Sequence, residues 1–446
     1  MLTRRQLLAS AAAPLFAQQR RPNIVFILAD DLGYADLGCT GDATISTPNI
    51  DSIAADGIRL TDFAVAWPAC TPSRGAFLTG RYPQRNGLYD MIRNNEVNWK
   101  FQFDKWTYAT SAEMTLGLDL REVTVGQVMK SAGYATGVIG KWDSGRAKRF
   151  LPLQRGFDFF YGFANTGVDY YTHERYGVPS MFRGNKEIKE SGHATDLFLR
   201  EALGFIEANK DRPFFLYVPF NAPHGASTFD KQAVQSPDEH LKRNEGRPRA
   251  AYRALVTHLD EAVGGILRKL RDLGLEDNTL VVFSSDNGGT GRQNGPLRGG
   301  KASLWEGGYR VPFLARFPGR IPKGQVSHQF ATTLELLPTF ARLGGAKLPN
   351  AKLDGFDLMP LLSGQSQRGR EEMFWEQRDN KAARSAQWKW SEIDGEEHLF
   401  DLKADPGESR DLVKTQPEAL AKMRSKWQAW RKEMDGSEPR GPFRDY

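Results

Sequence analysis

The sequence contains only two cysteines in 446 residues, which leaves at most one disulfide bond. After residues 1–19 it has no apolar run approaching the roughly 18 residues of a transmembrane helix, so we expect no membrane span. The net charge of +6 is small for this length and the basic residues are scattered, so nothing indicates nucleic-acid binding. Low-complexity tracts and fixed-period repeats are also missing, which leaves an ordinary globular composition.

Residues 1–19 have the pattern of an export signal. Arg4 and Arg5 precede an apolar run over residues 7–16, and Ala17 suits a cleavage site. The paired arginines favour the twin-arginine route, whereas an ordinary secretory signal also begins with positive charge. By either route we expect an exported protein, periplasmic or secreted.

Residues 22–342 alternate short apolar runs with amphipathic segments, which is typical of a mostly parallel sheet sandwiched by helices. The predicted strands are 23–29, 134–139, 213–219 and 279–285. The predicted helices are 47–56, 124–132, 194–209, 249–273 and 335–343. The sequence therefore predicts an α/β fold for residues 20–365.

The pattern changes after residues 361–370. Three short strands are predicted at 372–377, 383–393 and 398–402, followed by a charged amphipathic helix at 417–434. We expect residues 366–446 to form a smaller α+β subdomain, in which one helix packs on an antiparallel sheet.

The segment C-T-P-S-R-G-A-F-L-T-G, residues 70–80, holds the most informative cysteine. Pro72 suits the first turn of a helix, which places Cys70 at a helix N-terminus, where backbone N–H groups favour anionic ligands. Arg74 lies one turn further on and faces the same way. An isolated cysteine is more often a small buried apolar residue, so the other residues of the segment carry this interpretation.

Two polar pairs follow the first and last of the predicted main strands. Asp30 and Asp31 come after one, and Asp286 and Asn287 after the other. Ligands of open α/β sheets bind at these carboxyl ends. Three carboxylates and an amide carbonyl suit a hard cation such as calcium or magnesium and not zinc, although a single aspartate after a strand is usually a turn residue.

The pattern C-x-P-S-R followed by L-T-G resembles the signature of type I, formylglycine-dependent sulfatases of the alkaline-phosphatase-like superfamily. The resemblance extends to the C-terminal runs L-F-D-L at 399–402 and D-P-G-E at 405–408. It implies hydrolysis of sulfate esters, with carbohydrate sulfates in small molecules or polysaccharides as expected substrates. It also implies that a formylglycine-generating enzyme converts Cys70 into an aldehyde. The hydrate of that aldehyde has one hydroxyl to attack sulfur and a second to expel sulfate.

The resemblance also assigns the other site residues. One calcium ion would be bound by Asp30, Asp31, Asp286, Asn287 and the modified Cys70. Arg74 and Lys141 would hold the formylglycine hydroxyls and the oxygens on the metal side. His224, in N-A-P-H, and Lys301, in G-G-K-A-S, would contact the sulfate and assist the leaving oxygen. With Cys70 modified, Cys39 would have no partner, so we expect no disulfide.

One position departs from the family pattern. Where the family usually has G-K-W-H, this chain has G-K-W-D, so Asp143 replaces the presumed base that releases sulfate. A carboxylate can substitute as a base, but we expect its lower pKa to make it a weaker one at neutral pH. Alternatively, His173 or His193 reaches the site.

Two other functions use the same residues. A phosphodiesterase or phosphonate monoester hydrolase of the same superfamily would use the same nucleophile, and a binding protein with impaired turnover would keep the contacts without the base. The aromatic-rich stretches 99–108 and 159–176 would suit stacking on sugar rings, and core packing explains them equally well.

Overall fold

The computed structural model describes residues 20–41, 44–92, 110–228, 235–290 and 294–443. It contains a large sheet, two short two-stranded pairs and a four-stranded C-terminal sheet. In chain order the strands are β1 (Asn23–Asp30), β2 (Ile58–Leu60), β3 (Phe63–Ala64), β4 (Ala135–Lys141), β5 (Phe159–Phe163), β6 (Glu174–Arg175), β7 (Val178–Pro179), β8 (Met181–Arg183), β9 (Lys186–Glu187), β10 (Phe214–Pro223), β11 (Thr279–Ser285), β12 (Phe313–Arg316), β13 (Gln325–Ser327), β14 (Ala331–Thr332), β15 (Glu372–Gln377), β16 (Asn380–Ser385), β17 (Trp388–Ile393) and β18 (Glu396–Asp401).

The large sheet has the order β13-β2-β12-β11-β1-β10-β4-β5-β8-β9. Its five central strands, from β11 to β5, are all parallel, and antiparallel strands flank them on both sides. The carboxyl ends of β1, β4, β10 and β11 therefore meet at one edge. This arrangement confirms the expected α/β architecture.

Helices cover both faces of the sheet. They are α1 (Pro48–Ala55), α2 (Cys70–Thr79), α3 (Pro83–Asn86), α4 (Ala112–Thr115), α5 (Val125–Ser131), α6 (Ala194–Asn209), α7 (Asp238–Arg243), α8 (Ala250–Asp272), α9 (Glu306–Tyr309), α10 (Leu336–Gly344), α11 (Met359–Leu362) and α12 (Pro417–Asp435). Alternate residues of β1 join two different hydrophobic clusters, with Phe26 in one and Ile27 in the other. All eight residues of β1 are buried because both faces are covered.

The C-terminal part contains the four antiparallel strands β15 to β18, with α12 packed on β16 and β17. The indole of Trp375 donates a 2.9 Å hydrogen bond to the carbonyl of Val65, which ties this sheet to the main body. Trp375 and Trp390 belong to the same hydrophobic cluster as the main sheet. The division between residues 20–365 and 366–446 stays a prediction.

The prediction of one strand over 383–393 is wrong, because the chain turns between β16 and β17. The turn lacks glycine, proline and asparagine. Instead, the hydroxyl of Ser385 accepts hydrogen bonds from the backbone N–H groups of Gln387 and Trp388. Such side-chain turns give a weak signal within an otherwise strand-like sequence.

In the ranges that the structure describes, no helix is both long enough and apolar enough to cross a bilayer. The predicted export signal, residues 1–19, and the aromatic stretch 99–108 lie outside these ranges.

Candidate active site

Cys70 is the first residue of helix α2, as expected. Its side chain is 1 % exposed, and its Sγ lies 3.5 Å from Oδ1 of Asp30 at the end of β1. Gly80 ends the helix with a left-handed φ of 64°, which explains the glycine of the L-T-G run. The helix N-terminus therefore points at the carboxyl edge of the sheet. Cys39 and Cys70 are both free thiols.

Three carboxylates surround Cys70. Asp30, Asp31, Cys70 and Asp286 each place one donor atom within 4.8 Å of all the others. Asp31 has a left-handed φ of 64°, so the chain turns sharply after β1 and brings two consecutive carboxylates to one point. Burial and the neighbouring Asp286 raise the pKa of Asp30 to about 7, which indicates a crowded negative cluster.

Asn287 completes this cluster with an unpaired oxygen. Its Nδ2 donates a 2.8 Å hydrogen bond to Oδ1 of Asp31, which orients the amide. Its Oδ1 is buried and accepts no hydrogen bond from the described residues. Buried acceptors of this kind are rare and point to an unseen partner. Crowded carboxylates together with a lone carbonyl oxygen fit a hard divalent cation.

Two cations support the carboxylates from inside the fold. Arg74 donates from Nε and Nη2 to Oδ2 of Asp286, at 3.0 and 2.7 Å, and from Nη1 to the carbonyl of Lys141. The Nζ of Lys141 lies 2.7 Å from Oδ2 of Asp30. Burial opposes the charge of Lys141, but the Asp30 carboxylate outweighs it and holds the lysine pKa above its usual range.

Lys301 and His224 approach from the solvent side. The Nζ of Lys301 lies 2.6 Å from Oδ1 of Asp31 and 3.3 Å from the Cys70 Sγ. His224 directly follows β10, and its Nε2 lies 3.8 Å from Oδ2 of Asp31. Burial, together with the charges of Lys301 and Lys141, lowers the pKa of His224 to about 4 despite Asp31, so its imidazole is neutral at pH 7.

Asp143 lies beside the start of α2. Its Oδ1 accepts a 2.9 Å hydrogen bond from the Thr71 hydroxyl. Its Oδ2 lies 3.7 Å from the Nζ of Lys141 and accepts no hydrogen bond within the described ranges. Its φ of 51° is left-handed, a strained conformation of the kind found at functional sites.

The pKa of Asp143 stays below that of histidine, as expected, but lies much closer to it than the pKa of an ordinary carboxyl group does. The side chain is buried, and burial outweighs Lys141, Arg74 and the Thr71 hydrogen bond, raising its pKa to about 6. That value approaches the ordinary pKa of histidine, about 6.5. The sequence could not reveal this, because burial depends on the whole fold.

The two alternative histidines are engaged elsewhere. His173 contacts the carbonyl of Gly192 at 2.9 Å, and His193 contacts that of Gln235 at 2.8 Å. The ring of His193 also stacks on Tyr170. Within the described ranges, neither imidazole forms a hydrogen bond or ion pair with Cys70, Lys141 or Asp143.

A cavity of about 290 Å³ opens over this site. Cys70, His224 and Lys301 line one end of it. Thr166, Arg175 and Tyr176 come from the predicted stretch 159–176. The rest of the lining comes mostly from segments that the sequence did not single out, namely Trp67, Asp90, Met91, Ser227, Gln377 and Arg378. Of the predicted aromatic stretch 159–176, only Tyr176 contributes an aromatic ring to the cavity, whereas Phe160 and Phe163 are core residues.

A parallel sheet covered on both faces, with this cluster at its carboxyl edge, defines a member of the alkaline-phosphatase-like superfamily. A family model described as "Sulfatase" matches residues 22–346, and one described as "N-sulphoglucosamine sulphohydrolase, C-terminal" matches residues 300–433. The chain belongs to the sulfatase family. It is a sulfuric ester hydrolase.

Known sulfatases resemble the chain over most of its length. It is 35 % identical to arylsulfatase A of Homo sapiens, over 92 % of this chain and 86 % of that protein. It is 36 % identical to N-acetylgalactosamine-6-sulfatase of Canis lupus familiaris, over 81 % of this chain and 70 % of that protein. The crystal structure of Ps i-CgsB in complex with k-i-k-neocarrahexaose is 32 % identical and superposes with a TM-score of 0.82, covering 92 % of this chain and 93 % of that one.

Proposed function

We propose that this protein hydrolyses sulfate esters of carbohydrates, using formylglycine made from Cys70 and one calcium ion. The observation that carries the proposal is the position of Cys70, which begins helix α2 with its donor atom within 4.8 Å of those of three carboxylates. The carbohydrate substrate is supported by a relative named for N-acetylgalactosamine 6-sulfate and by the neocarrahexaose complex of a structural neighbour.

Calcium would be held by a set of oxygen ligands at the carboxyl edge of the sheet. The residues that would hold it are Asp30, Asp31, Asp286, Asn287 and the modified Cys70. When bound, it would offset the charge of the sulfate and lower the pKa of the attacking hydroxyl. Arg74 positions Asp286 from behind through its two hydrogen bonds.

The modified Cys70 would supply two hydroxyls on one carbon. One would bond to sulfur as the sugar oxygen departs, and loss of the proton from the other would restore the aldehyde and expel sulfate. Lys301, 3.3 Å from the Cys70 sulfur, and the neighbouring His224 would bind the sulfate oxygens. Lys301, which is protonated at pH 7, would supply a proton to the departing oxygen, and the neutral His224 would assist it with a hydrogen bond.

Asp143 would take the proton that releases sulfate. Thr71 occupies Oδ1, so Oδ2 is the oxygen that would accept the proton. With a pKa of about 6, the carboxylate is largely ionised at neutral pH. A base whose pKa lies near the working pH combines the correct ionisation state with useful basicity, so the replacement of histidine by Asp143 is compatible with turnover.

The test is turnover by protein produced with and without a formylglycine-generating enzyme. We expect many sulfates released per active site from the modified protein and none from the unmodified one. A matching phosphodiester should be cleaved far more slowly, and the reverse preference would favour the phosphodiesterase alternative. At most one alcohol released per site, with no free sulfate, would favour the binding protein with impaired turnover. Fusion of residues 1–19 to a reporter, with Arg4 and Arg5 changed to lysine, would test the proposed export.

A further inference from the structure

The cavity that Cys70 lines also contains a fixed guanidinium. Arg175 lies in the β6–β7 hairpin and is 2 % exposed. Its Nη1 is 3.1 Å from Oε2 of Glu113, and its Nε donates to the hydroxyl of Thr166 at 3.1 Å. Glu113 is itself buried and accepts a hydrogen bond from Asn165, so the side chain of Arg175 is held in one place.

A second, adjustable guanidinium comes from the C-terminal sheet. Arg378 lies in the turn between β15 and β16, with a left-handed φ of 55°. Its side chain is 69 % exposed, and its Nε donates to Oδ2 of Asp90 at 3.2 Å. Asp90 is the single carboxylate among the described residues that line the cavity. The lining also contains three cationic side chains, those of Arg175, Arg378 and Lys301, so its net charge is positive.

The scissile sulfate has other cations beside Cys70, so it does not by itself account for Arg175 and Arg378. Lys301 contacts the Cys70 sulfur, and Lys141 contacts Asp30 beside it. Arg175 and Arg378 line the same cavity from other elements, the β6–β7 hairpin and the C-terminal sheet, and the hydrogen bonds described above join them to Glu113, Thr166 and Asp90. A guanidinium presents N–H donors in a fork that matches the oxygens of a carboxylate or sulfate.

We propose that Arg175 and Arg378 form a subsite for a second anionic group of the substrate, a sulfate or a carboxylate. This inference rests on the proposed function. A cavity of about 290 Å³ is at the small end of ligand pockets, so the second anion belongs to the sugar that carries the scissile sulfate or to its direct neighbour. The preferred substrate is therefore a disulfated sugar or a sulfated uronic acid unit.

The test compares three glycosides that share one scissile sulfate: a neutral sugar, the same sugar with a second sulfate, and the corresponding uronic acid. Formylglycine-bearing enzyme is used, and released sulfate is measured. We expect kcat/KM to be about tenfold higher for at least one dianionic substrate, with the two dianionic arms distinguishing sulfate from carboxylate. Because Arg378 is exposed, the preference should shrink as salt increases.

Arg378→Gln should reduce this preference about tenfold, whereas Arg410→Gln should leave it unchanged. Arg410 is an exposed arginine of the same C-terminal part, outside the cavity lining, and its substitution removes the same charge. Equal kcat/KM for neutral and dianionic sugars, or the same loss in both variants, would overturn the subsite and leave the proposed function standing. If neither the three sugars nor an aryl sulfate released any sulfate, the proposed function itself would be contradicted.

Discussion

The hydroxyl of Thr71 donates a 2.9 Å hydrogen bond to Oδ1 of Asp143. Thr71 directly follows Cys70 in the first turn of α2, so this bond fixes Asp143 against the helix that begins with the proposed nucleophile. It also favours the ionised carboxylate, whereas burial favours the protonated one. The Thr71 contact therefore helps to fix the position of Asp143 and lowers its pKa, while burial, Lys141 and Arg74 have larger effects on that pKa.

Asp143→Asn should slow sulfate release more than formation of the sulfated enzyme. Asparagine keeps the shape but cannot accept the proton, so a burst of leaving alcohol should precede slow turnover. In the wild type, Asp143 must be ionised to act, so kcat should fall as the pH drops through about 6. Stopped-flow measurement with a chromogenic aryl sulfate would check both. If Asp143→Asn kept wild-type turnover across the pH range, Asp143 would have no catalytic role.

Thr71→Val should move the acid limb of the kcat profile to higher pH by roughly half to one unit. The variant removes the hydrogen bond that lowers the Asp143 pKa and keeps a similar volume. Thr71→Ser, which keeps the hydroxyl, is the matched control and should leave the limb in place. If the acid limb lay at the same pH in all three proteins, its assignment to Asp143 would be contradicted.

Asp143→His restores the residue usual in the family and should retain multiple turnover.

Cys70→Ser should abolish multiple turnover. Serine has one hydroxyl, so it could form a sulfate ester but has no second hydroxyl to expel the sulfate. We expect at most one leaving alcohol per site, with the sulfate retained on the introduced serine, as intact-protein mass spectrometry would detect. Cys70→Ala has no hydroxyl and should release none. Sustained turnover by Cys70→Ser would rule out release through a second hydroxyl.

Chelation of calcium should lower activity and melting temperature together. A ligand that binds only the folded state stabilises it by about 2.7 kcal/mol at 100 times its Kd. Asn287→Ala removes the unpaired oxygen and should reduce the melting-temperature gain from added calcium. Asn278→Ala, at the amino end of β11, is the matched control and should keep the full gain. Full activity in protein confirmed to be metal-free would exclude a role for calcium.

Lys301→Gln should slow hydrolysis of sugar sulfates far more than that of 4-nitrophenyl sulfate, because Lys301 is protonated at pH 7 whereas the imidazole of His224 is neutral. A sugar alkoxide needs a proton as it leaves, whereas nitrophenolate is stable without one. General acid catalysis typically contributes about 10² to 10⁴, so we expect a loss in this range for sugars and a smaller one for the aryl ester. Similar losses for both substrates would assign Lys301 to sulfate binding alone.

The sequence predicted those parts of the molecule that depend on local patterns. The predicted bounds 194–209 and 279–285 match the observed elements, because the first is an amphipathic helix and the second an apolar run bounded by polar residues. The polar residues after β1 and β11 meet as expected, since parallel neighbours end at one edge. In contrast, the pKa of Asp143 depends on burial, and the cavity wall joins Arg175 to Arg378, which are distant in sequence.

The most direct test of the account is the mass of the tryptic peptide of residues 60–74, which contains Cys70. It should be measured in protein preparations of graded specific activity, made with different amounts of formylglycine-generating enzyme. We expect the fraction of peptide with the aldehyde in place of the thiol to rise in proportion to sulfatase activity. Fully active protein with an unmodified Cys70 thiol would contradict it.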